Sequence, residues 1–169
     1  AKPDILGAIY RIQKKNSPSV KDPRGLKLDW NRPQSSWLAD ERPVVVQRAI
    51  EALASESNLD DLRSAKARIP ALWSLHRIES QSARKAVREF LRDDSPDVRA
   101  AAIHSAGLWL DSGAVQPLIE LLASNDARLR RLAAMALGRI GDRRAIKPLQ
   151  ESYSCLLYTS PSPRDAYVS

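Results

Sequence analysis

The sequence predicts an all-α protein, a right-handed solenoid of helical hairpins, and three observations carry that expectation. Residues 98–122 can be laid over residues 129–148 at a constant offset of 31: Val98 meets Leu129, Ala102 meets Ala133, Ser105 meets Ala136, Gly107 meets Gly138, Ala114 meets Ala145 and Pro117 meets Pro148. Two short helices per unit, with small residues where helices must approach, are the mark of a stacked helical array. The same register slid back by 31 places Leu72 under Ile103, Ser74 under Ser105, Ala83 under Ala114 and Val87 under Leu118, so a third unit is present. Composition agrees: 43 % of residues are hydrophobic but only 5 % aromatic, and Phe90 is the single phenylalanine. A core must then be built from Ala, Leu, Ile and Val, which favours closely packed helices.

The elements follow in chain order. Gly7 to Ile12 reads GAIYRI, an alternation that predicts a half-buried strand. One strand cannot bury itself, so residues 1–13 are expected to be the end of an upstream β-domain. The chain opens on Ala1 and begins mid-pattern, as a piece of a longer protein would. Residues 14–34 are polar, basic and broken by Pro18, Pro23 and Gly25, which predicts an extended linker with no packed structure of its own. Residues 35–154 are expected to hold about four hairpins. A first turn starts near Ser35 or Ser36, whose hydroxyls suit an N-cap, and Trp30 and Trp37 around Pro33 are read as a cover for the open end of the first helical layer rather than a ligand-stacking pair.

From Pro43 the helical period takes over, with Val46, Ala49, Ile50 and Leu53 on one face. Leu59 to Ala67 is a weaker partner, and the join around Arg68 and Pro70 is irregular. Helices are then expected over Ala71–Ile78, Ser82–Leu91, Asp97–Leu110, Ser112–Leu122, Asp126–Ile140 and Arg144–Leu149. Asp93, Asp94, Ser95 and Pro96 before one helix, and Ser124, Asn125 and Asp126 before its counterpart, offer oxygens to orphan amides. Gly141 suits the left-handed position that ends a helix.

The net charge of +7 raises the question of nucleic acid, and its distribution answers more than its total. The one dense spot is the last unit, where Arg128, Arg130, Arg131, Arg143, Arg144 and Lys147 form a possible basic patch, with Arg139 close by, against only Asp126 and Asp142. The plainer reading is a solvated face of a terminal repeat. Cys155 stands alone, without a partner for a disulfide and without neighbours at metal-ligand spacing. His76 and His104 lie inside the first helices of their units, at the places of Gly107 and Met135, and read as packing residues. No nucleophile with a base, no paired carboxylates in an apolar setting and no phosphate-cradling glycine loop can be assembled. The segment is therefore expected to be non-catalytic, with no catalytic, cofactor-binding or metal residue and no cofactor of its own.

The doubled units, VRAAAIHSAGLWLDSGAVQPLIELL and LRRLAAMALGRIGDRRAIKPL, resemble HEAT repeats of the short bacterial type. GAIYRI, DPRGLKLDW at Asp22 to Trp30 and RPVVVQRAIEALA at Arg42 to Ala54 are similar to the junction between a propeller and HEAT repeats in large bacterial membrane-bound dehydrogenase-like proteins, which often continue into a cytochrome c domain. That resemblance implies a periplasmic or otherwise extracytoplasmic parent dehydrogenase; the propeller's residues and a CxxCH haem motif are absent from this chain. The final stretch, CLLYTSPSPRDAYVS, resembles a translated library adapter from environmental (metagenomic) assemblies, which implies that residues 155–169 are no part of the natural protein.

The function expected from these readings is a scaffold for protein contact, joining a propeller to a downstream domain of the same chain or to another protein. It would use Arg84, Arg88, Gln116 and Glu120 on the second helices, with no membrane insertion and no small-molecule site. Two alternatives stand beside it. One is a nucleic-acid-binding HEAT-like domain that takes the last unit's arginines as phosphate contacts, as HEAT-like DNA repair glycosylases use their concave face. The other is a phycobilin lyase-like protein, because those lyases also use short HEAT-like repeats, although no chromophore site can be picked out among these residues.

Overall fold

A computed structural model describes the backbone of residues 21–159 and the side chains as far as residue 152. The strand expected at residues 7–12 lies outside the described residues, as does the tail from residue 160. Among the described residues eight α-helices follow one another: α1 Pro43–Ala52, α2 Leu59–Ser64, α3 Arg68–His76, α4 Gln81–Glu89, α5 Pro96–Leu108, α6 Val115–Leu121, α7 Ala127–Ile140 and α8 Ile146–Thr159. They pair as four hairpins stacked in order, an all-α solenoid of HEAT-like units. The first helices α1, α3, α5 and α7 each touch the next, and the contact between α5 and α7 is the most extensive in the molecule. α8 runs to Thr159, five residues beyond the expected end of the array at Ser154.

The helix starts are written into the sequence at the repeat period. Pro43 and Pro96 occupy the first turns of α1 and α5, where a missing N–H costs nothing. Ser80, Asp111 and Asp142 stand 31 residues apart and open the second helices of their units. Ser80 Oγ accepts from the Ala83 amide, the Asp111 carboxylate from Gly113, and the Asp142 carboxylate from Arg144. Asp126 caps α7 through the Arg128 and Leu129 amides, as expected. At α5 the expected carboxylate cap is absent: Asp93 accepts from the Ser95 amide one step earlier, and Pro96 takes over the start. Gly141 ends α7 at φ 71°.

A second ladder at the same period consists of arginines. Arg68, Arg99 and Arg130 each return a guanidinium nitrogen to the carbonyl five residues earlier, on Arg63 at 2.6 Å, Asp94 at 3.1 Å and Asn125 at 3.1 Å. The carbonyls of the inter-hairpin loops, which no helix ladder can serve, are satisfied there. Arg68 also lies 4.1 Å over the Phe90 ring and pairs with Asp93 at 2.9 Å, which orders the irregular join before Pro70.

The expected unpacked linker is corrected over residues 21–34. The Asp22 carboxylate accepts from the Leu26 and Lys27 amides, and Arg42 bonds the Asp22 carbonyl at 3.1 Å. Trp30 Nε1 donates to the Gly25 carbonyl at 2.8 Å, and the Trp30 ring meets Trp37 edge-on at 4.8 Å. Gly25, at φ +65°, is buried against Val45, whose Cγ2 would stand 2.8 Å from any Cβ there. This contact turns α1: Val45, Ala49 and Leu53 are buried, while Val46 and Ile50, expected in the core, are half-exposed.

One buried cluster runs from Leu38 through Leu72, Phe90, Ile103 and Leu118 to Ala145. Beside it α5 and α7 approach closely at Gly107, where a Cβ would lie 3.2 Å from Ala136 Cβ; the equivalent Gly138 has nothing within 4 Å. The two glycines should therefore respond oppositely. Gly107→Val is expected to destabilise by about 1–3 kcal/mol through overpacking. Gly138→Ala should instead add up to about 1 kcal/mol of helix propensity; equal effects in urea unfolding would contradict the packing described. Leu110, at φ 52°, stands where the next unit has Gly141. Leu110→Gly should raise stability by about 1 kcal/mol by removing left-handed strain, and an unchanged or lower midpoint would count against that strain.

Candidate functional site

The faces of α3, α5 and α7 carry matched rows of side chains at the 31-residue offset. Ile69, Trp73 and Arg77 run along and just past α3; Ala100, His104 and Leu108 along α5; Arg131, Met135 and Arg139 along α7. Residues four apart share a helical face. The stacking of units therefore lays Trp73, His104 and Met135 side by side. Large apolar groups stay in water here, Leu108 at 49 % and Met135 at 51 % exposure.

Around Trp73 the rows converge into an indole–imidazole cluster. The Trp73 ring meets His76 edge-on at 5.5 Å and His104 at 6.1 Å, His76 stacks on Trp109 at 4.7 Å, and the Arg84 guanidinium lies 5.6 Å over Trp109. His76 Nδ1 shares a hydrogen bond of 2.8 Å with the buried Ser105 hydroxyl, tying α3 to α5. Burial, and then the positive charge of His104 and of Arg77, holds His76 below the usual imidazole range. The cluster thus offers π faces, a largely neutral imidazole in His76, and cations at its edge. It opens into a groove between α5 and α7 of about 240 Å³, lined by Ile103, His104, Gly107, Leu132, Met135, Ala136 and Arg139. Among the described residues no three His, Cys, Asp or Glu side chains converge to hold a metal ion, and no helix is long and apolar enough to cross a membrane.

The contact face expected on the second helices is arranged differently. Arg88 is bound into the fold, its Nη1 contacting both oxygens of buried Asp111 at 2.8 and 3.1 Å. Glu120 pairs with Arg92 at 3.3 Å, and Glu89 with Arg63 at 2.6 Å. Arg84 leans toward Trp109, so it belongs to the aromatic cluster, and Gln116 alone of the four stands exposed without a charged neighbour in contact. These four residues are not brought together as one free surface, because Arg88 and Glu120 are engaged in ion pairs between successive units and Arg84 lies over Trp109.

The basic patch is likewise mostly occupied. Arg128 pairs with Asp97 at 2.7 Å, Arg130 serves loop carbonyls, and Lys147 reaches Glu151 at 3.9 Å. Arg144 pairs with Asp142 at 2.7 Å, and its hydrogen bond pulls that carboxyl down to about 2. Arg131 and Arg143 make no ion pair among the described residues. Sequence reasoning assigned His76 and His104 to packing and passed over Trp73 and Trp109. The signal was present in the period, since Trp73, His104 and Met135 share one register, and Ile78, Trp109 and Ile140 another.

Fold and face together define a helical-repeat scaffold, and residues 91–154 match the family model of HEAT repeats. The chain is also 36 % identical over 108 residues to the phycocyanobilin lyase subunit alpha of Picosynechococcus sp., a match covering 59 % of this chain and 40 % of that protein. The chain thus spans less than half the length of the curated relative it matches. The expectation of a non-catalytic segment is corrected by this match, because the relative is named as an enzyme subunit. HEAT repeats commonly mediate protein contacts, which agrees with the coarser part of the expected function.

The depressed pKa of His76 makes folding pH-dependent. The unfolded chain takes up a proton as pH falls through about 6.5, while the folded chain resists it, so stability is full above that pH and declines below it until the folded imidazole titrates. Urea unfolding at pH 7.5 and 5.5 should show a larger acid loss for the wild type than for His76→Gln. Identical losses would mean that His76 is not held neutral.

Proposed function

We propose that this chain is the repeat portion of a phycobilin lyase-type protein, and that the cluster of Trp73, His76, His104 and Trp109 receives an open-chain tetrapyrrole as substrate. The observation that carries the reading is the coincidence of a half-buried indole–imidazole cluster, with His104 exposed at its edge, and similarity to a protein whose name specifies phycocyanobilin. Phycocyanobilin is a flat conjugated chain of pyrrole rings bearing two carboxylates. Indole and imidazole faces suit its rings, at about 0.5–1.5 kcal/mol for each aromatic pair beyond the area buried. Arg77 and Arg84 at the edge suit its carboxylates, since guanidinium groups bind them through paired N–H donors.

The helix rows add reach. Neighbouring first helices lie about 8–10 Å apart in packed helical arrays, so three of them span an extended pigment on a rigid support. His76 and His104 supply hydrogen-bonding nitrogens beside the rings, and Ser105 holds the His76 ring in place.

A second reading, a scaffold that also holds another protein against these repeats, is favoured by the exposed Leu108 and Met135. The similarity of residues 7–54 to a propeller–HEAT junction belongs to this reading.

Phycocyanobilin titrated into the protein should shift the pigment's long-wavelength absorbance and quench tryptophan fluorescence. The double variant Trp73→Ala, Trp109→Ala should weaken binding about tenfold, equivalent to 1.4 kcal/mol. Arg92→Ala, on the opposite face, should leave binding unchanged. A wild-type protein that leaves the pigment's spectrum unaltered at saturating concentration would overturn the proposal.

A further inference from the structure

We propose that the groove between α5 and α7 docks an acidic amphipathic helix of a partner protein. The inference goes beyond the tetrapyrrole reading and does not depend on it, since it uses the α7 side of the face rather than the indoles of α3 and α5.

Shape is the first argument. The groove floor is Gly107 and Ala136, whose small size brings α5 and α7 together; Ile103 and Leu132 form its walls, and Met135, His104 and Arg139 its rim. A volume of about 240 Å³ admits the apolar anchor side chains of a helix laid across it, not the helix itself. Helices bind grooves in this way, through residues at spacings of three, four and seven. Leu108 and Met135 remain half in water on either side, and covering them would remove apolar surface that the fold itself leaves uncovered.

Charge identifies the occupant. The helices α3, α5 and α7 contain one carboxylate, Asp97, and Arg128 takes it at 2.7 Å. Arg77, Arg131 and Arg139 on the same face have no carboxylate partner among the described residues. Arg131 and Arg139 lie two helical turns apart along α7 with Met135 between them, a basic rail with an apolar centre. On the second-helix side, by contrast, Arg63, Arg88 and Arg92 are paired with Glu89, Asp111 and Glu120. On this face, therefore, unpaired guanidinium groups of Arg77, Arg131 and Arg139 stand beside the uncovered Leu108 and Met135. A second copy of the chain presenting the same rail would be repelled, and so would a basic helix; a helix with Leu or Met anchors flanked by Asp and Glu is complementary in both respects.

The test is a selection from a displayed library of 18-residue helices against the immobilised full chain, followed by anisotropy titration of one enriched peptide. Enriched sequences should combine apolar residues at helical spacing with Asp or Glu beside them, and binding should weaken as salt is raised. The double reversal Arg131→Glu, Arg139→Glu, checked for folding by circular dichroism, should reduce affinity at least about tenfold. Met135→Glu should do the same. The Trp73→Ala, Trp109→Ala protein should keep the peptide, so that loss of pigment binding and loss of peptide binding are separable. Enrichment of neutral or basic peptides, affinity within about twofold after charge reversal, self-association through this face, or duplex DNA displacing the peptide would each overturn the proposal.

Discussion

The approach of α5 to α7 at Gly107 sets the terms for the rest of the molecule. A solenoid has no sheet and no closed barrel to fix its shape; each unit is held only by its neighbours. The tightness of the unit-to-unit contact therefore decides whether the array is rigid. Ala102, Ala106, Gly107, Ala133 and Ala136 keep that contact free of bulk, and Ser74 and Ser105 extend the small-residue pattern toward α3. Larger side chains such as Ile103 and Leu132 are left to line the groove beside it. Trp73 and Trp109 lie half-buried on the flank of the stack, so the packing rule that stabilises the array also places indoles where a ligand can reach them.

Polar groups obey an equally local economy. Among the described residues no buried side-chain nitrogen or oxygen lacks a hydrogen-bond partner. The cap series Ser80, Asp111 and Asp142 and the arginine series Arg68, Arg99 and Arg130 serve amides and carbonyls that the helices leave open at each joint. Charges on the second helices are used between units. Arg88 contributes most there: Asp111 is 5 % exposed, Gly113 has no side chain because Arg88 lies across it, and hydrogen bonds to charged, largely desolvated groups are worth more than surface pairs. Arg77, Arg131 and Arg139 on the first-helix face enter no such pair among the described residues, and both proposals above concern that face.

Much of this was legible in the sequence, because a period is a global signal. The offset that aligns Gly107 with Gly138 also located α3 to α7 within a few residues, whereas α8 runs ten residues past the Leu149 end expected for it. What the period could not supply were contacts from outside it. On α1 the buried face was read correctly at Ala49 and Leu53 but Val45 was missed, because it packs on Gly25 in a stretch that looked unstructured. Arg130, grouped with the possible basic patch, returns its guanidinium to Ser124 and Asn125, a use with the same sequence signature as an arginine left in solvent. His76 was read as packing, which its bond to Ser105 supports, yet its stacking on Trp109 depends on a contact between adjacent units that the sequence alone leaves unpaired.

A repeat scaffold and an enzyme's name are compatible on physical grounds. Positioning can lower a barrier without a nucleophile in the scaffold, provided that the reacting groups are held in place by elements that do not yield. Three first helices locked by Gly107, Ala136 and the His76–Ser105 bond are such elements. A tetrapyrrole needs restraint along its length more than a deep pocket, because rotation about its bridging bonds gives it many conformers in water. Stacking against successive rows would remove that freedom one ring at a time.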